Sequence, residues 1–153
     1  MIEIREATPD DAPGLAALRW EFRSERPGLV EDRDEFVARC AAWMRGQLTT
    51  NLQWRAWVVV DGAAIVGQLW AHLFEKLPNP TTERERHLYV SNVYVTPRIR
   101  GGVGSRLVQT VLDWAAAQNV DRVILWPSDR SRTMYKRFGF ETPDDILELK
   151  LNR

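Results

Sequence analysis

One cysteine and two histidines are too few for most of the chemistry that proteins build from disulfides and metals. Cys40 has no partner for an internal disulfide, and no Cys/His cluster has zinc spacing. The expectation is a chain that works in a reducing compartment and holds no metal. A dominant sign of charge is missing as well: 21 basic residues face 21 acidic ones, for a formal net charge of zero. That removes the general electrostatic footprint of a nucleic-acid binder. No apolar run approaches the roughly 18 residues that suggest a membrane-spanning helix. The opening MIEIREATPDD lacks the basic start and apolar core of a secretory signal. No repeat, low-complexity tract or long Pro/Gly/Ser linker interrupts the chain. Together these absences predict a cytoplasmic protein with no nucleic-acid and no membrane partner, folded as one domain over residues 1–153.

Seven tryptophans stand out against this plain background: Trp20, Trp43, Trp54, Trp57, Trp70, Trp114 and Trp126. Each ring buries a large area, so they read first as core filler, with some of them as the lining of a ligand pocket as the sharper alternative. Ile2 and Ile4 alternate with Glu3 and Arg5, a short strand. Asp10 or Asp11 is the expected cap of a helix running to Phe22, because a cap at Thr8 would place Pro13 where an intrahelical hydrogen bond is lost. Glu31 to about Leu48 carries apolar residues at helical spacing. Trp54–Val60 and Ala64–Phe74 flank Asp61-Gly62, a strong hairpin signal. Leu77–Arg86 is a polar, proline-interrupted connection.

Leu88–Val95 then reads as a strand, Gly104–Gln118 as a helix with a Leu107, Val108, Val111, Leu112, Ala115 stripe, and Arg122–Trp126 as a strand. This β-α-β unit implies parallel strands. A short helix over Ser131–Phe138 and a final strand over Ile146–Leu151 complete an α+β order around a mixed sheet.

Between the strand and the helix lies VTPRIRGGVGSRL, residues 95–107. Free N–H groups and the positive end of the helix dipole converge at such a junction, glycine lets an anion approach, and arginine adds charge-assisted hydrogen bonds. A phosphate or pyrophosphate is the natural ligand; an ordinary structural turn is the plainer alternative. The dinucleotide pattern G-x-G-x-x-G fails because Leu107 occupies its third glycine position. The phosphate-loop pattern fails for lack of Gly-Lys-Ser/Thr.

A third pattern fits. The strand ending in V-T-P, the Arg-Gly turn, the helix-opening GVGSRL and the downstream MYKRFGF together resemble the GNAT superfamily of N-acetyltransferases. The resemblance extends over almost the whole chain, including the IEIREATPDDAPGLAALR opening. It implies a mixed sheet, mostly antiparallel, with a parallel β-α-β pair at a splayed cleft. It also implies acetyl-CoA as co-substrate, with its pyrophosphate on the N–H groups of Gly101, Gly102, Val103, Gly104, Ser105 and Arg106. The pantetheine arm would lie along the backbone of Val93, Tyr94 and Val95, with Arg98 and Arg100 as candidates for the phosphates and Ser128 for an auxiliary contact. One departure is visible: Arg100 is separated from Gly102 by Gly101 alone, where many members have two residues, so the loop reads as shortened by one.

The activity implied is transfer of an acetyl group to a primary amine of a small molecule or protein, by direct attack in a ternary complex. The alternative is a CoA-binding regulatory module without turnover. Members often pair, so a homodimer is among the implied assemblies. Such transfer needs a neutral amine, stabilisation of developing negative charge and a donor for the departing sulfur. Tyr135, at the family's tyrosine position, is the candidate donor; a core aromatic is its ordinary role. No base is assigned. Glu75, His87 and Asn92 are candidates to face the cleft, with an ordinary surface or strand role as the plainer reading of each, while Glu21 and Glu25 are alternatives that would attract a cationic acceptor.

Overall fold

The computed structural model describes residues 1–24, 28, 31–50, 53–80, 84–99 and 101–152. Glu25 and Arg100, both singled out above, lie outside them. In chain order the elements are β1 (Ile2–Glu6), α1 (Ala12–Arg23), α2 (Arg33–Thr50), β2 (Trp54–Asp61), β3 (Ala64–Glu75), β4 (Arg86–Val95), α3 (Val103–Ala117), β5 (Arg122–Ile124) and α4 (Arg132–Arg137). The five strands form one sheet in the order β1-β2-β3-β4-β5. Only β4 and β5 run parallel; every other pairing is antiparallel. The mixed sheet expected from the sequence is therefore the architecture found.

The start of α1 reconciles the two competing caps. A short 3-10 turn over Pro9–Asp11 precedes the helix, with Thr8 at its head and Asp11 as the cap of α1. The Asp11 carboxylate accepts the Thr8 N–H at 2.8 Å and two N–H bonds from Arg5 at 2.8 and 3.0 Å. Pro13 falls in the first turn of α1, where its missing N–H costs nothing. The hairpin differs by one position from expectation: Asp61 pairs with Ala64, so the turn is Gly62-Ala63.

Alternation along β2 sends side chains to both faces. Ala56 and Val58 pack with Leu15, Ala16, Met44 and Trp70 beneath α1 and α2. Trp57 and Val59 join Leu69, Leu88, Leu107, Val111 and Tyr135 beneath α3 and α4. The α3 stripe is buried as its spacing requires, and each such Leu or Val contributes roughly 1.5–3 kcal/mol. Gln68, fully buried between α1 and the sheet, has both ends satisfied: it donates to the Leu15 carbonyl at 3.1 Å and accepts the Trp70 indole N–H at 2.8 Å.

The expected final strand is not formed. Residues 141–152 pair with no strand, and Leu147, Leu149 and Leu151 stand exposed. Their alternation suits a sheet, but a strand exists only through a neighbour's ladder, and the sheet ends at the three-residue β5. What ties this segment back is an ion pair between Asp145 and Arg122 at 3.0 Å.

Candidate functional site

The β4–β5 pairing covers only His87↔Arg122, Leu88↔Val123 and Tyr89↔Ile124. Beyond Tyr89 the two strands part, and from Val90 to Val95 the β5-facing edge of β4 has no strand partner among the described residues. An edge without a neighbouring strand presents N–H and C=O groups to whatever lies beside it. Val93 and Val95 lie on this stretch, on either side of Tyr94, which is in register with Gln68 of β3.

At its end the chain is pinned by the Thr96 N–H to the Val66 carbonyl at 2.8 Å and turns through Thr96–Ile99. Gly101 (φ +88°) and Gly102 (φ +71°) then take left-handed conformations that a side chain would strain, and Gly102 caps α3. The first N–H closed within the helix is that of Arg106, on the Gly102 carbonyl at 3.1 Å. The N–H groups of Gly102, Val103, Gly104 and Ser105 thus form the open first turn that any helix leaves. Gly104 is helical, and a Cβ built on it meets nothing within 4 Å. No described residue requires glycine there.

Tyr135 in α4 is 6% exposed, and its apolar cluster includes Val90, Val103 and Leu107, with Val93 and Val95 packed against it. Its ring meets Phe140 edge-on at 5.5 Å. Burial holds the phenol above its ordinary pKa, so it keeps its proton at neutral pH. Ser128 and Ser131 bond each other reciprocally, the Ser128 N–H reaching Ser131 Oγ at 3.0 Å and the two hydroxyls lying 2.9 Å apart. Ser128 therefore helps to start α4.

On the opposite side of β4 a second feature was not anticipated. The β3–β4 register jumps between Gln68↔Tyr94 and Trp70↔Ser91, a bulge that places Asn92 at φ +57°. Bulges at such places re-aim the strand, and positive φ on a non-glycine residue is a strained conformation that surrounding structure must hold. Here the holder is Arg19 of α1, whose Nη1 donates to Asn92 Oδ1 at 2.7 Å. Beside this bond opens a cavity of about 430 Å³, walled by Trp43, Trp54, Trp70, Phe36 and Met44 as well as Arg19, Arg39, Cys40, Ser91 and Asn92. Burial pushes the Cys40 thiol up, away from the reactive thiolate.

The remaining candidates are dispersed. His87 binds Glu85 at 2.7 Å and precedes Val95 by eight residues along β4, about 26 Å at strand rise. Glu75 pairs with Arg86 at that same far end and holds Arg84. Glu21 accepts the Tyr94 hydroxyl at 2.7 Å and the Thr96 hydroxyl at 2.9 Å, fastening α1 to the exit of β4. Arg98 lies 4.0 Å from Asp61 across the hairpin turn. Among the described polar groups named as candidates above, Asn92 alone lines the cavity. The signal that would have found the bulge is in the sequence: inward Leu88 and Val90 occupy even positions, whereas Val93 and Val95 carry the pattern on odd ones.

Known structures share this fold. A predicted acetyltransferase of Clostridium acetobutylicum, crystallised with acetyl-CoA, superposes with a TM-score of 0.75 at 22% identity, over 99% of this chain and 97% of its own. An aminoglycoside acetyltransferase from an uncultured soil metagenomic sample gives 0.74 at 15% identity, over 99% of each chain. Glucosamine-6-phosphate N-acetyltransferase from Arabidopsis thaliana gives 0.71 at 16% identity, again over 99% of each. No curated protein sequence matches the chain significantly. The sequence model of the acetyltransferase (GNAT) family matches residues 14–140, a span that takes in α1, the bulged β4, the glycine turn and Tyr135, and the chain belongs to that family.

Proposed function

We propose that the protein transfers the acetyl group of acetyl-CoA to a primary amine of a small molecule, with both substrates bound at once. The observation that carries this reading is that β4 runs on past the end of its pairing with β5 at Tyr89 and leads into the open first turn of α3, with a separate cavity beside the strand. Acetyl-CoA fits the residues present: the pyrophosphate on the N–H groups of Gly101 to Ser105, the pantetheine arm along Val93, Tyr94 and Val95, and Arg106 and Arg100 as guanidinium donors. Gly104, with open space where a Cβ would stand, supports close approach of the anion. The thioester supplies the activated acyl group.

The amine nitrogen attacks in its neutral form, forming the C–N bond as the C–S bond breaks, and its proton leaves to water. Neutral Tyr135 donates a hydrogen bond to the departing sulfur. Full proton transfer from a phenol held above pKa 10 to a thiolate near 8.5 would run uphill by at least about 2 kcal/mol, so hydrogen bonding is the role that fits. Direct attack is also favoured over an acyl-cysteine route, because the Cys40 thiol is held in its protonated, weakly nucleophilic form.

Calorimetric titration with acetyl-CoA, CoA and NADH, followed by thiol release across an amine panel, tests the reading. Acetyl-CoA and CoA are expected to bind and NADH not to. No acetyl-CoA binding at high micromolar concentration would sink the proposal, and binding without thiol release on any amine would leave a regulatory CoA-binding module.

A further inference from the structure

The cavity beside Asn92 is built for a particular kind of acceptor. Three indoles form its walls as mutual neighbours: Trp43 and Trp54 at 5.8 Å and 73°, Trp43 and Trp70 at 5.9 Å and 45°, Trp54 and Trp70 at 6.2 Å and 70°. Phe36 and Met44 complete the apolar lining. Trp70 is fixed from behind, its indole N–H held by the buried Gln68 amide. Trp43, by contrast, is 48% exposed, so core packing does not account for an indole there. A rigid ring that stays half in water beside a cavity of about 430 Å³ is suited to stacking against a ligand.

The polar lining narrows the choice. Two guanidinium groups, Arg19 and Arg39, face the space, and no carboxylate or lysine lines it among the described residues. Both guanidiniums have partners, Arg19 the Asn92 amide and Arg39 the Glu31 carboxylate, so what the cavity chiefly offers a ligand is its aromatic wall. Ser91 and Asn92, on the bulge that leads directly into Val93–Val95, bring the cavity to the strand edge proposed for the acetyl donor.

Resting on the acetyl-transfer reading, we infer that the acceptor is a primary amine carried on a ring-sized apolar group, an arylalkylamine or the amine of an aromatic amino acid. The aromatic part stacks on Trp43 between Trp54 and Trp70, and the amine points toward Ser91 and Asn92. A linear polyamine has no ring to stack on that wall, and the hydroxyl-covered rings of an aminoglycoside would lose hydrogen-bonded water against it.

Two readouts on the full chain test this. In the thiol-release assay, kcat/KM for 2-phenylethylamine and for phenylalanine is expected to exceed that for spermidine and kanamycin at least tenfold. Trp43→Ala, at a half-exposed position, is expected to raise KM for 2-phenylethylamine at least fivefold while the calorimetric Kd for acetyl-CoA and the melting curve stay put; Trp54→Ala serves as the second variant. A polycation as the better acceptor, or an unchanged KM in both variants, overturns the inference. Independently of turnover, quenching of tryptophan fluorescence by 2-phenylethylamine and not by spermidine reads the cavity itself. A protein that binds the aromatic amine but not acetyl-CoA would refute the acetyl-transfer reading while leaving the cavity's preference standing.

Discussion

Replacing Gly104 by alanine separates what the fold needs from what a ligand needs. The residue is helical, in the first turn of α3, and a Cβ there meets no protein atom within 4 Å. Alanine restricts the unfolded chain and favours helix by roughly 0.5–1 kcal/mol, with the lower figure suited to a first turn. For a chain of this size that is an increase in Tm of about 1–2 °C. An acetyl-CoA pyrophosphate over the same turn would meet the new methyl group. Losing one charge-assisted hydrogen bond costs about 1.5–3 kcal/mol, a roughly ten- to hundredfold weaker Kd. Scanning calorimetry and isothermal titration on one preparation give both numbers. An unchanged Kd would mean that no anion sits over this turn, and a lower Tm that the glycine serves the fold. Gly102→Ala cannot make the distinction: at φ +71° a side chain adds about 1–2 kcal/mol of strain, so stability and affinity fall together.

Tyr135→Phe is expected to lower kcat about a hundredfold, the low end of what positioned donors contribute, with KM for acetyl-CoA within twofold. Because burial raises the phenol's pKa, wild-type kcat owes no decline to this group between pH 7 and 9.5; its contribution to stability is full below pH 10 and is lost as pH rises through the higher folded value, which melts at stepped alkaline pH would follow. Asp11 shows the opposite sign. Hydrogen bonds from Arg5 first, and from the Thr8 N–H, hold its carboxyl below the usual range, so its stabilisation is present at neutral pH and lost as pH falls below about 4. Asp11→Asn should cost about 1 kcal/mol in urea melts at pH 7, a figure discounted for the partial exposure of Arg5, and almost nothing at pH 2. Gln68→Leu leaves the Trp70 N–H buried without its partner and takes the second hydrogen bond from the Leu15 carbonyl, and is expected to lower stability by about 2 kcal/mol in the same assay.

The features legible in the sequence are those that a short window of chain determines. The glycine turn is one, since a strand exit, two residues that tolerate positive φ and an amphipathic stripe all fall within residues 95–115. The hairpin around Gly62 and the crossover from β4 to β5 are others, fixed by turn chemistry and handedness. The cavity is of a different kind. It draws Arg19 from α1, Phe36 to Met44 from α2, Trp54 from β2, Trp70 from β3 and Asn92 from β4, so no local spacing announces it. The helical spacing of Phe36, Cys40 and Met44 looks the same whether the stripe faces a packed core or a cavity.

The exposed C-terminal segment makes the converse point, since Ile146–Leu151 has a strand's alternation and no strand's ladder. Pattern specifies which face is apolar, while pairing depends on an edge elsewhere in the chain. The bulge at Asn92 joins the two cases: its parity shift is local and readable, but its consequence is set by an arginine seventy-three positions away that holds the strained residue in place. The stretch proposed for the acetyl donor was therefore open to reading from residues 93–107, and the cavity proposed for the acceptor only from the packing of α1 and α2 against the sheet.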